Sequence, residues 1–339
     1  MSNNLPMIKG IGYGVPSKAV TNDDLTKIFD TSDEWIYTRT GIKKRYLFAS
    51  DDEAFDLLQK TCMQAIKNAE ISVDDIDIII ASSSMPVQLM PNTSCMAHKL
   101  LGLSKNIPAF DISAACSGFV YGLDIANSYI RSGMYKNILL ITMDNCSRYI
   151  DWTDRRVSIL FGDGVGAAVI SAGDENDILS MNIYADGSVG DYITMPIQSG
   201  NCPFVNKTSD IQFLNMKGQD VYKFAANVIP SFITDEILSI NNVDDVDYLI
   251  LHQANQRIIQ AVQERLEFSD EKVIANIENY GNTSASSILI AMGEAIKDGK
   301  LKTPANAIVC GFGAGMCWGG GIIRLREGIF KDVNIFLDK

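Results

Sequence analysis

Histidine is scarce in this chain, and its cysteines are not arranged in close pairs. Among 339 residues there are two histidines and seven cysteines, with no Cys-x-x-Cys motif. This shortage argues against a Cys/His zinc site and a disulfide-held fold, so we expect free thiols and no bound metal. Long apolar runs are missing too, as are the basic and apolar segments of a signal peptide at the start. We therefore expect a cytoplasmic protein that does not bind membranes.

Positive charge is also in the minority. The sequence has 29 Lys and Arg against 41 Asp and Glu, which gives a formal net charge of −12. Binding to nucleic acid by overall attraction is not expected, because phosphate contacts need clustered basic residues. An acidic partner would have to dock on a local basic patch. The composition, 47% hydrophobic and 21% charged, is otherwise that of a globular protein with one large domain or two ordinary ones.

What the chain does contain is an internal repeat. Short apolar strands alternate with helical stretches, which indicates sheets covered on both faces by helices. Three features recur in the same order, 166 to 170 residues later: residues 73–77 as 243–247, Gly133 as Gly299, and residues 137–141 as 306–310. We infer a duplicated α/β fold of two similar sheets, with helices between and outside them. The two halves would be residues 1–172 and 173–339.

Cys116 is the strongest candidate for a nucleophile. It lies where an apolar strand turns into a long helix, among small neighbours in residues 114–118. A thiol at a helix N-terminus is expected to have a lowered pKa, because the helix dipole favours the thiolate. The shift of 166 that aligns the two glycines carries Cys116 onto Asn282. This alignment predicts one active site shared between the two halves.

Two further positions could complete such a site. His252 follows the apolar strand 248–251, at a sheet rim where α/β proteins place functional groups, and is a candidate base or imidazole donor. Asn282 could be no more than a helix cap, but its alignment with Cys116 favours a hydrogen-bond donor at the site. The glycines of 311–315 permit a backbone N–H to approach a developing oxyanion.

These segments together resemble the β-ketoacyl-acyl-carrier-protein synthase III family of the thiolase superfamily. The motifs that carry the resemblance are residues 30–42, 114–118, 252–255, 279–284 and 311–319. They occur in register over almost the whole chain, to near Arg324. The resemblance implies a thiolase-like, duplicated five-layer α/β/α/β/α fold and a homodimer.

The resemblance also implies a reaction, the start of fatty acid synthesis or of a related polyketide synthesis. Cys116 would take the acyl group of an acyl-CoA, and malonyl-acyl carrier protein would lose CO₂ to give the carbanion that attacks it. His252 and Asn282 would stabilise the enolate, and the backbone N–H groups of Cys116 and Ala314 would hold the other oxyanion. Coenzyme A would then be part of a substrate, and no cofactor is expected.

Binding positions are implied by the same resemblance. They are Trp35, Arg39 and Arg155 for coenzyme A, Lys223 and Arg257 for docking of the carrier protein, and Met90 for an acyl pocket bounded across the dimer. The chain departs from the family pattern nearby. Glu264 stands where Lys is frequent, Arg156 where a smaller residue is usual, and Met90 in place of an aromatic residue.

Other activities were weighed against this one. A relative could transfer the acyl group from Cys116 to a hydroxyl or amine without decarboxylation, and release of CO₂ separates the two. A degradative thiolase is disfavoured, because its second active-site cysteine has no counterpart here. A non-catalytic partner subunit is disfavoured because all three reactive residues are present.

Overall fold

The computed structural model describes residues 4–196, 204, 213–239 and 245–330. Within them the strands are β1 (Leu5–Gly14), β2 (Lys18–Thr21), β3 (Lys44–Leu47), β4 (Ile78–Ser82), β5 (Ala109–Ile112), β6 (Asn137–Asp144), β7 (Gly164–Gly173), β8 (Ile178–Ala185), β9 (Ile193–Thr194), β10 (Asn215–Met216), β11 (Tyr248–Leu251), β12 (Val273–Ile274), β13 (Ala305–Gly313) and β14 (Cys317–Leu325). The helices are α1 (Asn22–Leu25), α2 (Asp33–Thr40), α3 (Asp51–Asn68), α4 (Thr93–Leu100), α5 (Gly118–Arg131), α6 (Cys146–Tyr149), α7 (Arg155–Ser158), α8 (Gly218–Phe232), α9 (Gln256–Leu266), α10 (Ile277–Tyr280) and α11 (Ser287–Lys297).

Two five-stranded sheets repeat one topology. The first has the order β1-β7-β6-β4-β5, and the second has the matching order β8-β14-β13-β11-β12. In each sheet the first three strands are antiparallel neighbours and the last three are parallel neighbours. Shared order and orientation confirm the duplication that the sequence repeat predicts.

Helices form three layers around the two sheets. The central layer consists of α5 and α11, which contact strands of both sheets. The outer layers are α3 and α4 on the first sheet and α8 and α9 on the second. Helix α5 buries Phe119, Leu123, Ala126 and Ile130, whose spacing places them on one side of the helix. The predicted five-layer α/β/α/β/α fold is confirmed.

The same turn precedes the central helix in each half. The turns are Ala115–Ser117 before α5 and Ser284–Ser286 before α11. Each opens on a residue with positive φ, which is +46° for Ala115 and +53° for Ser284. Positive φ is uncommon for a residue with a side chain, so this shared conformation identifies the two turns as equivalent. Ser284 follows Ala115 by 169 residues.

The register inferred from the sequence is wrong at this turn. Helix α5 has 14 residues and α11 has 11, so the glycines that follow them, Gly133 and Gly299, are closer in the repeat than the turns are. Aligning the glycines put Cys116 opposite Asn282, whereas the turns put it opposite Ala285. Asn282 lies two residues before its own turn, so it reaches the site without being the counterpart of Cys116.

The predicted domain boundary falls at the end of the first sheet. Strand β7 ends at Gly173, and β8, the first strand of the second sheet, begins at Ile178. The division into domains at residues 172 and 173 stays a prediction. In the predicted repeat copy 243–247, Val243 and Asp244 lie outside the described residues.

Arg45 on β3 is a fully buried cation without a carboxylate partner among its hydrogen bonds. Its guanidinium donates to Asn22 Oδ1 at 2.9 Å and to the Ile159 carbonyl at 2.8 Å, and burial lowers its pKa to about 10. Replacing it with methionine leaves both acceptors unpaired, so we expect the free energy of unfolding to fall by about 2–4 kcal/mol. Denaturant unfolding measures the loss. The exposed Lys18→Met change should cost under about 0.5 kcal/mol, and an Arg45→Met protein as stable as that control would contradict this account.

Candidate active site

A cavity of about 710 Å³ lies between side chains from both halves of the chain. Its lining includes Cys116 from the first half and His252, Asn282 and Ala314 from the second. The structure therefore brings together the four residues in which sequence analysis placed the chemistry. The site forms because the turn before α5, the end of β11 and the end of β13 meet at the interface of the two sheets.

Cys116 is held by close backbone contacts on both sides. It is half-buried in the turn before α5, and the N–H of Ala115, the residue with positive φ, donates to Ser84 Oγ at 2.9 Å. The last residue of β13, Gly313, packs against the same turn. A Cβ at Gly313 would lie 2.6 Å from the Cys116 nitrogen, so only glycine allows this approach. The contact brings the chain at Ala314 beside the Cys116 N–H.

The expectation of a lowered thiol pKa is wrong. Burial raises the pKa of Cys116 to about 12, the Asp144 charge raises it further, and hydrogen bonds from Ser284 and Asn282 only partly oppose these effects. The sulfur also lies before the helix, since α5 begins at Gly118. The thiol is therefore protonated at neutral pH, and its proton must leave when the sulfur reacts.

Asn282 presents its amide nitrogen to the site. Its Oδ1 accepts the Ser284 N–H at 2.8 Å, which leaves the NH₂ group as the free end. The backbone is fixed on both sides, because the Asn282 N–H donates to the Leu160 carbonyl at 2.8 Å and its carbonyl accepts the Gly162 N–H at 3.0 Å. Asn282 is thus a rigidly held hydrogen-bond donor.

His252 is a second neutral donor. Its Nδ1 lies 2.7 Å from Ser287 Oγ, which also accepts the Gln253 N–H at 3.2 Å. With its oxygen accepting from Gln253, the Ser287 hydroxyl directs its proton to Nδ1, so the imidazole carries its own proton on Nε2. The ring stands edge-on to Phe312, and burial lowers the pKa of His252 to about 3. Of the two roles left open by the sequence, this environment favours the donor over the base.

Ser287 should matter for the reaction through His252 alone. A Ser287→Ala change removes the hydroxyl that fixes the imidazole tautomer, and we expect decarboxylation of a bound malonyl thioester to slow about tenfold, the kinetic equivalent of one hydrogen bond of about 1.4 kcal/mol. Acylation of Cys116 should be unchanged. Labelled CO₂ release and intact-protein mass follow the two steps. Ser286→Ala is the matched control, because that hydroxyl bonds the Thr142 and Gly164 carbonyls instead, and equal slowing in both variants would assign the effect to packing.

The residues assigned to coenzyme A lie together at the cavity. Trp35 and Arg39 line it, with the Arg39 guanidinium 4.2 Å from the centre of the indole ring. The Arg155 guanidinium lies 4.8 Å from the same ring but does not line the cavity. Its neighbour Arg156 does, and Arg156 is bound by Asp154 at 2.8 Å. Three guanidinium groups therefore surround one exposed aromatic face.

The other predicted binding residues lie outside this cavity. Lys223 on α8 and Arg257 on α9 are both exposed, on helices that pack against each other, and Glu264 is exposed on α9. Met90 does not line the cavity of this chain. Its side chain is 89% exposed, beside Leu89 at 75%.

Sequence analysis missed residues that act on the site from behind. Ser84, Asp144 and Ser284 lie around the Cys116 turn, and Ser287 bonds His252. Asp144 ends an apolar parallel strand, as His252 follows one, so the rule that singled out His252 would also have selected it. The serines belong to no recognisable pattern of their own.

Two other kinds of site were searched for in the described ranges. No group of three or more His, Cys, Asp or Glu side chains there is arranged to hold a metal ion. Among the helices of the same residues, none combines the length and the apolar character needed to pass through a bilayer.

A buried thiol facing two neutral donors, between the halves of a duplicated five-layer fold, defines a thiolase-fold condensing enzyme. The chain is 41% identical over 320 residues to a β-ketoacyl-[acyl-carrier-protein] synthase III of Clostridioides difficile, covering 94% of this chain and 97% of that protein. It is 42% identical over 324 residues to the enzyme of that name from Campylobacter fetus, with the same coverage. The chain belongs to the β-ketoacyl-acyl-carrier-protein synthase III family, acyltransferases that catalyse the condensation initiating fatty acid synthesis.

Family models and solved structures agree with this assignment. Residues 110–187 match the model of 3-oxoacyl-[acyl-carrier-protein] synthase III, and residues 240–325 match the model of its C-terminal part. The synthase III crystal structure from Aquifex aeolicus superposes with a TM-score of 0.86 at 38% identity, covering 94% of this chain and all of that one. A priming β-ketosynthase of the R1128 polyketide pathway gives 0.86 at 29% identity, over 96% and 97% of the two chains.

Proposed function

We propose that this chain condenses the acyl group of an acyl-CoA with malonyl-acyl carrier protein, using Cys116 as nucleophile and His252 and Asn282 as donors to the malonyl thioester. The observation that carries the proposal is the convergence of one thiol and two neutral, rigidly held donors on one cavity. Neutral donors suit this chemistry, because they stabilise an enolate without first transferring a proton. Coenzyme A enters as part of the substrate, and the chemistry uses no bound cofactor.

Acylation comes first. The Cys116 sulfur attacks the thioester carbonyl carbon, the bond from that carbon to the sulfur of coenzyme A breaks, and free coenzyme A leaves. The N–H groups of Cys116 and Ala314 hold the oxyanion of the intermediate. The approach of Gly313 to the Cys116 nitrogen supports this pairing. Each such donor is worth about 3 kcal/mol of transition-state stabilisation.

Condensation follows on the acyl-enzyme. The malonyl carboxylate leaves as CO₂, and the electron pair of the broken bond moves towards the thioester carbonyl oxygen, where His252 Nε2–H and the Asn282 amide donate. The carbanion then attacks the acyl carbon and releases the Cys116 sulfur, which regains a proton. Apolar side chains in the cavity, such as Ile159, Ile258 and Phe312, limit water that would otherwise protonate the carbanion.

Substrates reach the thiol from the mouth of the cavity. The Trp35 ring stacks the adenine of coenzyme A, and Arg39 and Arg155 bind its base or phosphates, which the clustering of cations around that ring supports. Lys223 and Arg257, exposed on adjacent helices, dock the acidic carrier protein, while Glu264 weakens that patch.

The enzyme acts as a homodimer in the cytoplasm. Strand β5 is an edge of the first sheet and is only half-buried, and Leu89 and Met90 are the kind of exposed apolar side chains that a second subunit covers. In the dimer Met90 bounds the acyl pocket of the partner. Free cysteines and the acidic surface fit a reducing compartment.

Intact-protein mass spectrometry with a panel of acyl-CoAs tests the proposal, followed by labelled CO₂ release from malonyl-acyl carrier protein. We expect an adduct of one acyl group per chain and CO₂ release that depends on that adduct. The preferred acyl length identifies the primer. An adduct that passes to a hydroxyl or amine acceptor without CO₂ would favour the alternative transferase, and absence of any adduct would refute the role of the thiol.

A further inference from the structure

Asp144 is a buried carboxyl that the condensation chemistry above does not use. It is the last residue of β6, and its side chain is fully buried. Oδ1 accepts the N–H groups of Ser84 at 2.8 Å and Met85 at 2.7 Å, whereas Oδ2 has no hydrogen-bond partner of ordinary geometry among the described residues. A buried, half-satisfied carboxyl beside an active site calls for a physical role, because burying it costs free energy.

The Ser284 hydroxyl connects Asp144 to the nucleophile. Ser284 Oγ lies 3.4 Å from Cys116 Sγ, and the same side chain hydrogen-bonds Asp144, acting to lower the carboxyl pKa. The Asp144 charge in turn acts on Cys116 and raises its thiol pKa. The three groups therefore form a row, thiol to hydroxyl to carboxyl, that crosses from the first half of the chain to the second.

The other candidate for a base is poorly suited. His252 holds its proton on Nε2, its Nδ1 is bonded to Ser287, and burial lowers its pKa to about 3. Such an imidazole donates hydrogen bonds but takes up no proton near neutral pH. The Cys116 thiol, with its pKa raised to about 12, nevertheless has to lose its proton to attack a thioester. The site needs an acceptor, and the carboxyl behind Ser284 is in place.

We propose that Asp144 is the proton acceptor for Cys116 during acylation, with the Ser284 hydroxyl as the relay. This step rests on the proposed function, since it concerns formation of the acyl-enzyme. The thiol proton passes to Ser284 Oγ as the Ser284 proton passes to the carboxylate, and the sulfur forms its bond to the thioester carbon. When the bond from that carbon to the sulfur of coenzyme A breaks, the proton returns through Ser284 to the departing thiolate. The net result moves one proton from Cys116 to coenzyme A.

The electrostatics of the row support this exchange. Burial raises the pKa of Asp144 to about 6, close to the pH at which a general base is most effective. Protonating the carboxylate also removes the negative charge that disfavours the thiolate, so the two changes assist each other. Other titratable groups facing Asp144 are Cys146 and Tyr149 on α6 and Asp163 before β7, and burial raises the pKa of Asp163 to about 6 as well.

Single-turnover acylation between pH 5 and 9 tests the relay, with wild type, Asp144→Asn, Ser284→Ala and Asp163→Asn. The wild-type rate should rise as pH rises through about 6, because the base must be ionised, and then level off. Asp144→Asn keeps an oxygen for Ser84 and Met85, and should acylate about 10²–10³-fold more slowly without that pH dependence. Ser284→Ala, which leaves the carboxyl and its backbone bonds in place, should slow acylation comparably. Asp163→Asn should retain the pH dependence.

The outcomes separate the relay from its alternatives. A carboxylate that acted only through its charge would hinder the thiolate, so Asp144→Asn would then acylate faster than wild type, and that result would overturn the proposal. So would an unchanged rate and pH profile in Asp144→Asn or in Ser284→Ala. CO₂ release, measured on each variant after prolonged acylation, should match wild type. A wild-type protein that forms no adduct with any acyl-CoA refutes the proposed function instead.

Discussion

A Cys116→Ala protein is expected to form no covalent adduct with any acyl-CoA. The sulfur is the one nucleophile in the lining of the cavity that faces both an amide donor and a backbone oxyanion site, so removing it removes the covalent path altogether. Condensation should fall by on the order of 10⁴–10⁶-fold, as when other covalent enzymes lose their nucleophile. Intact-protein mass after incubation with acyl-CoA measures the first effect, and labelled CO₂ release measures the second.

Cys95→Ala is the matched control, because Cys95 is exposed and lies on α4, outside the cavity. That variant should acylate like wild type. Persistence of the full adduct mass in Cys116→Ala would assign the nucleophile to another thiol, and proteolytic mapping would begin with the half-buried Cys317. Alanine is preferred to serine here, since a serine hydroxyl would retain some capacity to accept the acyl group.

The architecture could be predicted from the sequence because it depends on local pattern. Parallel strands covered on both faces are apolar throughout, and helices between them carry an apolar face, so the layers follow from the order of such segments. The repeat register could not be obtained as safely. It depended on the lengths of α5 and α11, and a helix three residues shorter leaves no clear mark in a sequence that stays apolar and helical throughout.

The electrostatics of the site were the part that local pattern could not supply. The expectation for Cys116 considered the helix dipole alone, but the dipole acts weakly on a group ahead of the helix, and burial acts strongly. Burial of that sulfur depends on β13 and on the turn at Ser284, nearly 170 residues away. The same holds for the tautomer of His252, which is set by Ser287 on the central helix of the second half.

His252→Ala and Asn282→Ala proteins are expected to acylate within a few-fold of the wild-type rate and then to stop. Both side chains donate to the oxygen on which negative charge develops as CO₂ leaves, so each change should slow decarboxylation by about 10²–10³-fold, the effect of losing one oxyanion donor. The double variant should lose less than the product of the two effects, because the donors serve one oxygen and act as a unit. Intact-protein mass follows the acyl-enzyme, and labelled CO₂ release follows the second step.

His98→Ala is the control for His252, since this other histidine lies on α4 and bonds the Lys105 carbonyl. The pH profile adds an independent check. Because burial lowers the pKa of His252 to about 3, the imidazole stays neutral between pH 5 and 8, so decarboxylation should show no loss from its protonation in that range. A His252→Ala protein that failed to acylate would make the imidazole the base for Cys116, and it would then remove the need for a relay through Ser284 to Asp144. Wild-type acylation together with lost decarboxylation would instead separate the two proton and charge tasks between the two faces of the thiol.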